Sequence, residues 1–151
     1  MKKVPDRRSV VVNSIALAAA TVCASSAAEV SARAPGTPRY SVVFQVSDAD
    51  PAKWSLTLNN VRNAQAELGA DGLRIEVVAF GPGIGMLKAG SDVAARVTEA
   101  LKAGVNVLAC QNTMRGQNLA EAQMVSQIAY VPSGVAHLIR RQAEGYAYIR
   151  S

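Results

Sequence analysis

Cys110 is the side chain in this 151-residue sequence with the most reactive chemistry available to it. A cysteine thiolate can attack a disulfide, carry a second sulfur atom as a persulfide, or bind a thiol ligand. These reactions require the thiolate, and Arg115 is the nearest cation to Cys110 along the chain. The alternative is that Cys110 fills space in the core as a small hydrophobic residue.

A glycine-rich segment with the sequence GPGIG, residues 81–85, is the second candidate. Its spacing matches neither the dinucleotide-binding fingerprint nor the Walker phosphate loop. We expect Gly81, Gly83 and Gly85 to let the backbone turn close to a neighbouring loop. Their backbone N–H groups could then point toward the sulfur of Cys110 and favour its anionic form.

Acidic and histidine side chains give weaker signals. Asp48 could place a carboxylate near the site, whereas Asp50 is better explained as a helix cap. His137 is the only histidine, and we expect it to be exposed or packed rather than catalytic. One histidine and one cysteine cannot build a structural zinc site within a monomer. The sequence therefore predicts no metal and no organic cofactor.

Alternating strand and helix patterns must position these side chains. Short apolar runs rich in β-branched residues predict strands at 40–47, 73–80, 105–110, 127–132 and 146–150. Start and stop residues predict the intervening helices, which are one from Asp50 to Gly69, one from Ser91 to Gly104, a short one from Asn118 to Met124, and one from Ser133 to Gly145. On the last helix, the spacing predicts that Val135, Leu138 and Ile139 face inward.

Strands separated by helices of this length predict an α/β domain over residues 40–151, in which about five mostly parallel strands lie between two helical layers. Such sheets bind ligands beyond the carboxyl ends of their strands, near a switch in strand order. Asp48, the 81–85 segment and Cys110 each follow or end a predicted strand. We therefore expect all three at the same sheet edge, with Cys110 exposed to the ligand crevice.

The N-terminal residues have the features of a secretory signal. A basic front precedes an apolar stretch, 10–22, and then small residues, so we predict cleavage after Ala28 and a flexible leader over 29–39. The pair Arg7-Arg8 favours the twin-arginine route. The apolar stretch is shorter than the roughly 20 residues that span a bilayer, so we expect no stable membrane anchor. The sequence thus predicts a periplasmic protein.

Cleavage would change both charge and cysteine content. Residues 1–28 carry four of the 16 basic residues and one of the 11 acidic ones, so the net charge falls from +5 to +2. The remainder has no basic stripe with interleaved aromatic residues, which argues against a nucleic-acid partner. Cys23 would be lost with the signal. Cys110 would then be a solitary thiol in a compartment where disulfides normally form.

Three segments, AFGPGIGML, GVNVLACQNTM and VPSGVAHLIRRQAEGYAYI, together resemble the DsrE/DsrF-like family of small proteins related to sulfur-relay subunits. The likeness extends from about Tyr40 to Ile149. It implies a flavodoxin-like three-layer fold and assembly into trimers or hexamers, with the cysteine near subunit contacts. In sulfur-relay members a cysteine accepts sulfur as a persulfide, and Cys110 is the position that corresponds here.

The leading hypothesis is a periplasmic sulfur carrier or thiol-binding protein that holds sulfur on Cys110 and exchanges it with a donor or acceptor protein. The candidate binding residues are Gly81, Gly83, Gly85, Asn112, Thr113, Arg115 and Asp48. One alternative is a non-catalytic oligomer that binds a small ligand or has a structural role, with Cys110 as packing. Another is a cysteine hydrolase using Asp48 and Lys88, although the chain is short for that class and lacks its surrounding motifs.

Overall fold

The structure is a computed structural model, and it describes residues 38–151. The predicted signal peptide (1–28), nearly all of the predicted leader (29–39) and Cys23 lie outside the described residues. Within the part that is described, no helix combines the length and the apolar character needed to cross a membrane.

Five parallel strands form one sheet in the order β4-β3-β2-β1-β5. The strands are β1 (Tyr40–Val46), β2 (Leu73–Ala79), β3 (Asn106–Cys110), β4 (Ala129–Val131) and β5 (Ala147–Arg150). Most side chains of the three central strands are buried, as expected for a parallel sheet covered on both faces. The predicted α/β fold with a parallel sheet of about five strands is confirmed.

Four helices connect the strands, and they are α1 (Pro51–Leu68), α2 (Ala94–Lys102), α3 (Gln111–Gly116) and α4 (Gly134–Ala143). Short 3-10 turns occupy Ala70–Gly72, Gly81–Leu87 and Glu121–Gln123. Two predicted caps are present. The Asp50 side chain accepts a hydrogen bond from the Ala52 N–H at 2.9 Å, and the Ser133 hydroxyl accepts one from the Ala136 N–H at 3.4 Å.

The predicted short helix from Asn118 to Met124 is reduced to one 3-10 turn at Glu121–Gln123. A helix begins directly after Cys110 instead and ends at Gly116, while Asn118 has a left-handed backbone with φ of 53°. Asn tolerates that conformation better than most residues, so Asn118 follows the end of α3 rather than starting a new helix. The helix predicted from Ser91 begins at Ala94 instead, and its N-cap residue, Val93, has no side-chain cap hydrogen bond.

The direction of the connections assigns each helix to a face. The chain steps from β1 to β2 to β3, and right-handed crossovers then place α1 and α2 on the same face. The connection from β4 returns across the sheet to β5, so α4 lies on the opposite face. The buried clusters agree, because Trp54, Leu58, Val61 and Val97 pack on the first face whereas Leu138 packs on the second.

The inward face of α4 differs from the prediction. Val135 is 52% exposed and Ile139 is 63% exposed, while His137 and Leu138 are buried. The helix is rotated so that His137 meets Glu76 of β2, at a distance of 2.6 Å between their polar atoms. A buried carboxylate needs charged or polar partners. The contact with Glu76 therefore turns His137 toward the sheet, and Val135 and Ile139 stay exposed.

The switch in connection direction lies between β3 and β4. After β3 the chain continues outward to the adjacent β4, and after β4 it turns back over the other face of the sheet. Ligand crevices in open α/β sheets form at such points, beyond the carboxyl ends of the strands. Cys110 is the last residue of β3, and its register partner is Val131 of β4. The fold therefore places the sulfur at the switch point.

Candidate functional site

Cys110 is a buried free thiol between the first turns of two helices. It ends β3, it is the N-cap residue of α3, and α4 begins three residues after its register partner Val131. The residue is only 4% exposed. The expectation that Cys110 would be open to the crevice is therefore wrong, because the N-terminus of α4 closes over the sulfur.

Backbone and hydroxyl donors surround the sulfur. The Gly134 N–H, at the start of α4, donates a hydrogen bond to Sγ at 3.3 Å. Burial raises the pKa of the Cys110 thiol, but hydrogen bonds from the Thr113 side chain and from the N–H groups of Gly134, Thr113 and Asn112 outweigh burial. The pKa consequently lies below its ordinary value. This arrangement favours a thiolate inside a nearly closed site.

The absence of a side chain at Gly134 lets the N-terminus of α4 approach the sulfur of Cys110 closely. A Cβ at this position would lie 2.8 Å from Cδ1 of Phe80 and 3.1 Å from its Cβ. Only a residue without a side chain fits against Phe80 while keeping its N–H on the sulfur. Gly134 was not predicted as a site residue, although its place directly after the Ser133 cap was the available signal.

The two predicted binding residues nearest Cys110 lie in the first turn of α3, as their sequence position requires. Thr113 and Asn112 supply N–H groups that lower the pKa of the Cys110 thiol. The Arg115 guanidinium instead hydrogen bonds to Oδ1 of Asn112, and it is not among the main groups acting on the thiol. Neutral hydrogen-bond donors therefore stabilise the thiolate. The positive charge of Arg115, which the sequence suggested for this role, does not supply that stabilisation.

The glycine segment supports the site indirectly. The Gly81 N–H donates to the Thr113 hydroxyl at 2.9 Å, so it holds a residue that contacts the sulfur. Gly83 packs against β1, where an added Cβ would lie 2.4 Å from the carbonyl oxygen of Val46, and Gly85 packs against Trp54. The close backbone approach expected of these glycines is present. The donors at the sulfur, however, come from α3 and α4.

Asp48 lies at the same sheet edge but away from the sulfur. It follows β1, which β2 separates from β3, so the two strands are about 10 Å apart. Asp48 pairs with Arg150 at 3.2 Å and with Lys53 at 3.4 Å. Hydrogen bonding to Arg150, and then to Lys53, holds the pKa of Asp48 below its usual range. The structure does not bring this carboxylate to Cys110.

Lys88 is the second residue that the cysteine hydrolase alternative requires near Cys110. This residue is exposed, and its backbone forms a bridge with Met124 beyond the end of the Gly81–Leu87 turn. Neither Lys88 nor Asp48 is among the groups that act on the Cys110 thiol. The acid and lysine that a hydrolase of this kind requires do not converge on the sulfur. Among residues 38–151, no three His, Cys, Asp or Glu side chains are grouped to hold a metal ion.

A buried ionic cluster lies on the α4 face of the sheet. Glu76 is 2% exposed and contacts His137 Nε2 at 2.6 Å, while Arg141 reaches both carboxylate oxygens, through Nε at 2.9 Å and Nη2 at 2.8 Å. The bond to Glu76 holds the pKa of Arg141 above its usual range. The cluster was not predicted from the sequence, although a glutamate within the apolar strand LRIEVVA was the signal for it.

The cluster does not form a catalytic dyad with Cys110. Glu76 is opposite Asn106 of β3, four residues before Cys110, which corresponds to about 13 Å along the strand. His137 Nε2 is directed at Glu76 Oε2. His137 thus contacts the carboxylate of Glu76, and it is buried and paired rather than exposed.

This chain is similar to known proteins in sequence and in fold. The model of the DsrE/DsrF-like family matches residues 39–150. A structure of MTH1491, a protein of unknown function from Methanobacterium thermoautotrophicum, is 39% identical with a TM-score of 0.71, and the alignment covers 74% of this chain and 99% of that one.

Two more distant structures share the fold. BT1422, a conserved protein of unknown function from Bacteroides thetaiotaomicron, is 12% identical with a TM-score of 0.61, covering 74% of this chain and 94% of that one. The ychN protein from E. coli is 14% identical with a TM-score of 0.58, covering 74% and 99%. No curated protein matches the chain.

Proposed function

Because this chain belongs to the DsrE/DsrF-like family, which is associated with sulfur relay, we propose that it is a periplasmic sulfur carrier. Cys110 would hold one sulfur atom as a persulfide and pass it to a partner thiol. The observation that carries the proposal is the array of donors that lowers the pKa of a nearly buried thiol. Burial alone would raise the pKa of a cysteine thiol that only fills space in the core, and such a cysteine needs no donors around its sulfur.

The proposed transfer is a pair of thiol exchanges. In loading, the Cys110 thiolate attacks the outer sulfur of a donor persulfide, a new S–S bond forms, and the donor thiolate leaves. In unloading, an acceptor thiolate attacks the outer sulfur on Cys110, and Sγ leaves as a thiolate. A leaving thiol of lower pKa departs faster, so the Gly134 N–H and the other donors assist the unloading step. Neither step requires an oxidant or a metal.

Burial limits what can reach the sulfur. With Cys110 only 4% exposed, a small inorganic polysulfide or a narrow acceptor group fits the approach better than a bulky reagent does. Thr113 and Asn112 of α3 hydrogen bond to the sulfur, and the Gly81 N–H donates to the Thr113 hydroxyl. We include these three residues in the proposed site.

The periplasmic part of the proposal rests on residues 1–28. Its test is the N-terminal sequence of the protein purified from its native host, which we expect to begin near Glu29. Recovery of the chain with Met1 in the soluble cytoplasmic fraction would contradict export.

Sulfur loading is tested with the full chain carrying Cys23→Ser, so that Cys110 is the only thiol. Intact mass after incubation with polysulfide should increase by one sulfur atom, and a thiol reductant should reverse the increase. The matched control carries Cys23→Ser and Cys110→Ser, and it should gain nothing. Equal masses before and after polysulfide in the Cys110-containing chain would refute the carrier proposal.

The low exposure of Cys110 favours one competing function, a ligand-binding or structural oligomer in which the thiol is packing. That alternative makes opposite predictions. The native thiol would resist both polysulfide and alkylation, and Cys110→Ser would mainly lower the melting temperature. The carrier proposal expects Cys110→Ser to fold and assemble at neutral pH while losing sulfur loading.

A further inference from the structure

We propose that Glu76, His137 and Arg141 form an anchor that positions the N-terminus of α4 against the sulfur of Cys110. The inference rests on the proposed function, because it concerns how the carrier thiol is kept anionic. These are positioning residues, since none of them contacts the sulfur.

Glu76 holds α4 at two points one helical turn apart. His137 and Arg141 are spaced i and i+4, so both project from one face of the helix toward the same carboxylate. Arg141 reaches both carboxylate oxygens of Glu76 in a bidentate arrangement that fixes direction as well as distance. Glu76 and His137 are two of the three buried polar or charged side chains among residues 38–151.

Apolar contacts alone would fix the helix poorly. Leu138 is the only residue of α4 in the buried cluster on this face, and hydrophobic contact has no preferred direction along the helix axis. Burying a carboxylate is costly unless its partners are well placed, so a slide of α4 would break the pairing at a large free-energy cost. The anchor therefore restrains the helix along its axis.

That restraint reaches the sulfur through a short rigid segment. Gly134 lies three residues before His137, which corresponds to about 4.5 Å of helix. The Gly134 N–H is the donor at 3.3 Å from Sγ. Hydrogen bonds weaken steeply with misalignment, so a small shift of α4 is enough to lose this one.

The direction in which the pKa of the Cys110 thiol shifts in Glu76→Gln distinguishes loss of helix positioning from loss of a negative charge. Removal of a negative charge would by itself favour the thiolate and lower the pKa of Cys110. Release of α4 would instead remove a donor from the sulfur and raise the pKa. For Glu76→Gln we therefore expect the thiol pKa to rise by about half a unit to one unit, in the opposite direction to the charge effect.

The experiment is a pH titration of thiolate absorbance in the full chain carrying Cys23→Ser, with the chain carrying both Cys23→Ser and Cys110→Ser as baseline. Glu76→Gln and His137→Ala should each raise the pKa of the thiol. His137→Gln retains an N–H donor that can reach Glu76 and should keep most of the original pKa. Val97→Ala, in the core of the opposite face, should lose stability without moving the pKa.

The outcomes distinguish this inference from the proposed function. An unchanged or lowered pKa in Glu76→Gln overturns the anchor, even if Cys110 still accepts sulfur. A raised pKa in a protein that never accepts sulfur supports the anchor and refutes the carrier. If Glu76→Gln fails to fold, the comparison of His137→Gln with His137→Ala decides, and equal pKa values in those two variants would overturn the anchor.

Discussion

Gly134→Ala should raise the pKa of the Cys110 thiol and destabilise the protein. The added methyl group would lie 2.8 Å from Cδ1 and 3.1 Å from Cβ and Cγ of Phe80, so either the ring or the start of α4 must move. Overpacking of this kind costs about 1–3 kcal/mol, which exceeds the gain of under about 1 kcal/mol from replacing glycine by alanine in a helix.

The shift in pKa follows from the lost hydrogen bond. A hydrogen bond to a charged group contributes about 1.5–3 kcal/mol, and one pKa unit is worth about 1.4 kcal/mol. Because the Thr113 and Asn112 donors remain, we expect a rise of about one unit. The assays are thiolate absorbance against pH and denaturant unfolding. Gly116→Ala, where no atom lies within 4 Å of the added Cβ, is the control and should change neither quantity for the worse. Destabilisation of Gly134→Ala with an unchanged thiol pKa would refute the view that α4 supports the thiolate.

Three further predictions concern stability, pH and assembly. Gly83→Ala should lower the free energy of unfolding by about 3 kcal/mol, because its Cβ would lie 2.4 Å from a backbone oxygen, whereas Gly90→Ala has open space and should be nearly neutral in the same denaturant titration. The folded pKa of Cys110 lies below the pKa of the thiol in the unfolded chain, so its stabilisation is fully present above the unfolded pKa and is lost as the pH falls through the folded pKa. The difference in unfolding free energy between the protein and Cys110→Ser should therefore grow from neutral to alkaline pH, and a constant difference would contradict a lowered pKa. All four residues of the edge strand β5 are exposed, including Tyr148 and Ile149, so we expect a closed trimer or hexamer by light scattering, and a monomer at micromolar concentration would contradict this expectation.

The sheet could be predicted from the sequence because its signals are local. β-branched runs marked the strands to within a few residues, and Asp50 and Ser133 act as the helix caps that their positions predicted. The placement of Cys110 at the carboxyl end of β3 followed from the same signals. Parallel pairing then required the crossover helices that the structure shows.

The details of the site depend on contacts between distant residues, which spacing does not reveal. One donor at the sulfur comes from Gly134, 24 residues later in the chain, and one partner of Glu76 is His137, 61 residues later. The helix α3 has no side-chain cap to mark its start. Asn118 is of a residue type that often caps a helix, but here it follows the end of α3 with a left-handed backbone. Burial of Cys110 and the rotation of α4 both result from these long-range contacts.

The most direct measurement is the mass of the Cys110-containing peptide from protein isolated from its native host, with thiols and persulfides trapped by alkylation at the moment of lysis. We predict a fraction of that peptide carrying one additional sulfur atom between Sγ and the alkyl group, which reductant removes. Detection of the simple alkylated or unmodified thiol alone, in cells supplied with a source of sulfane sulfur, would contradict the proposal that this protein carries sulfur on Cys110.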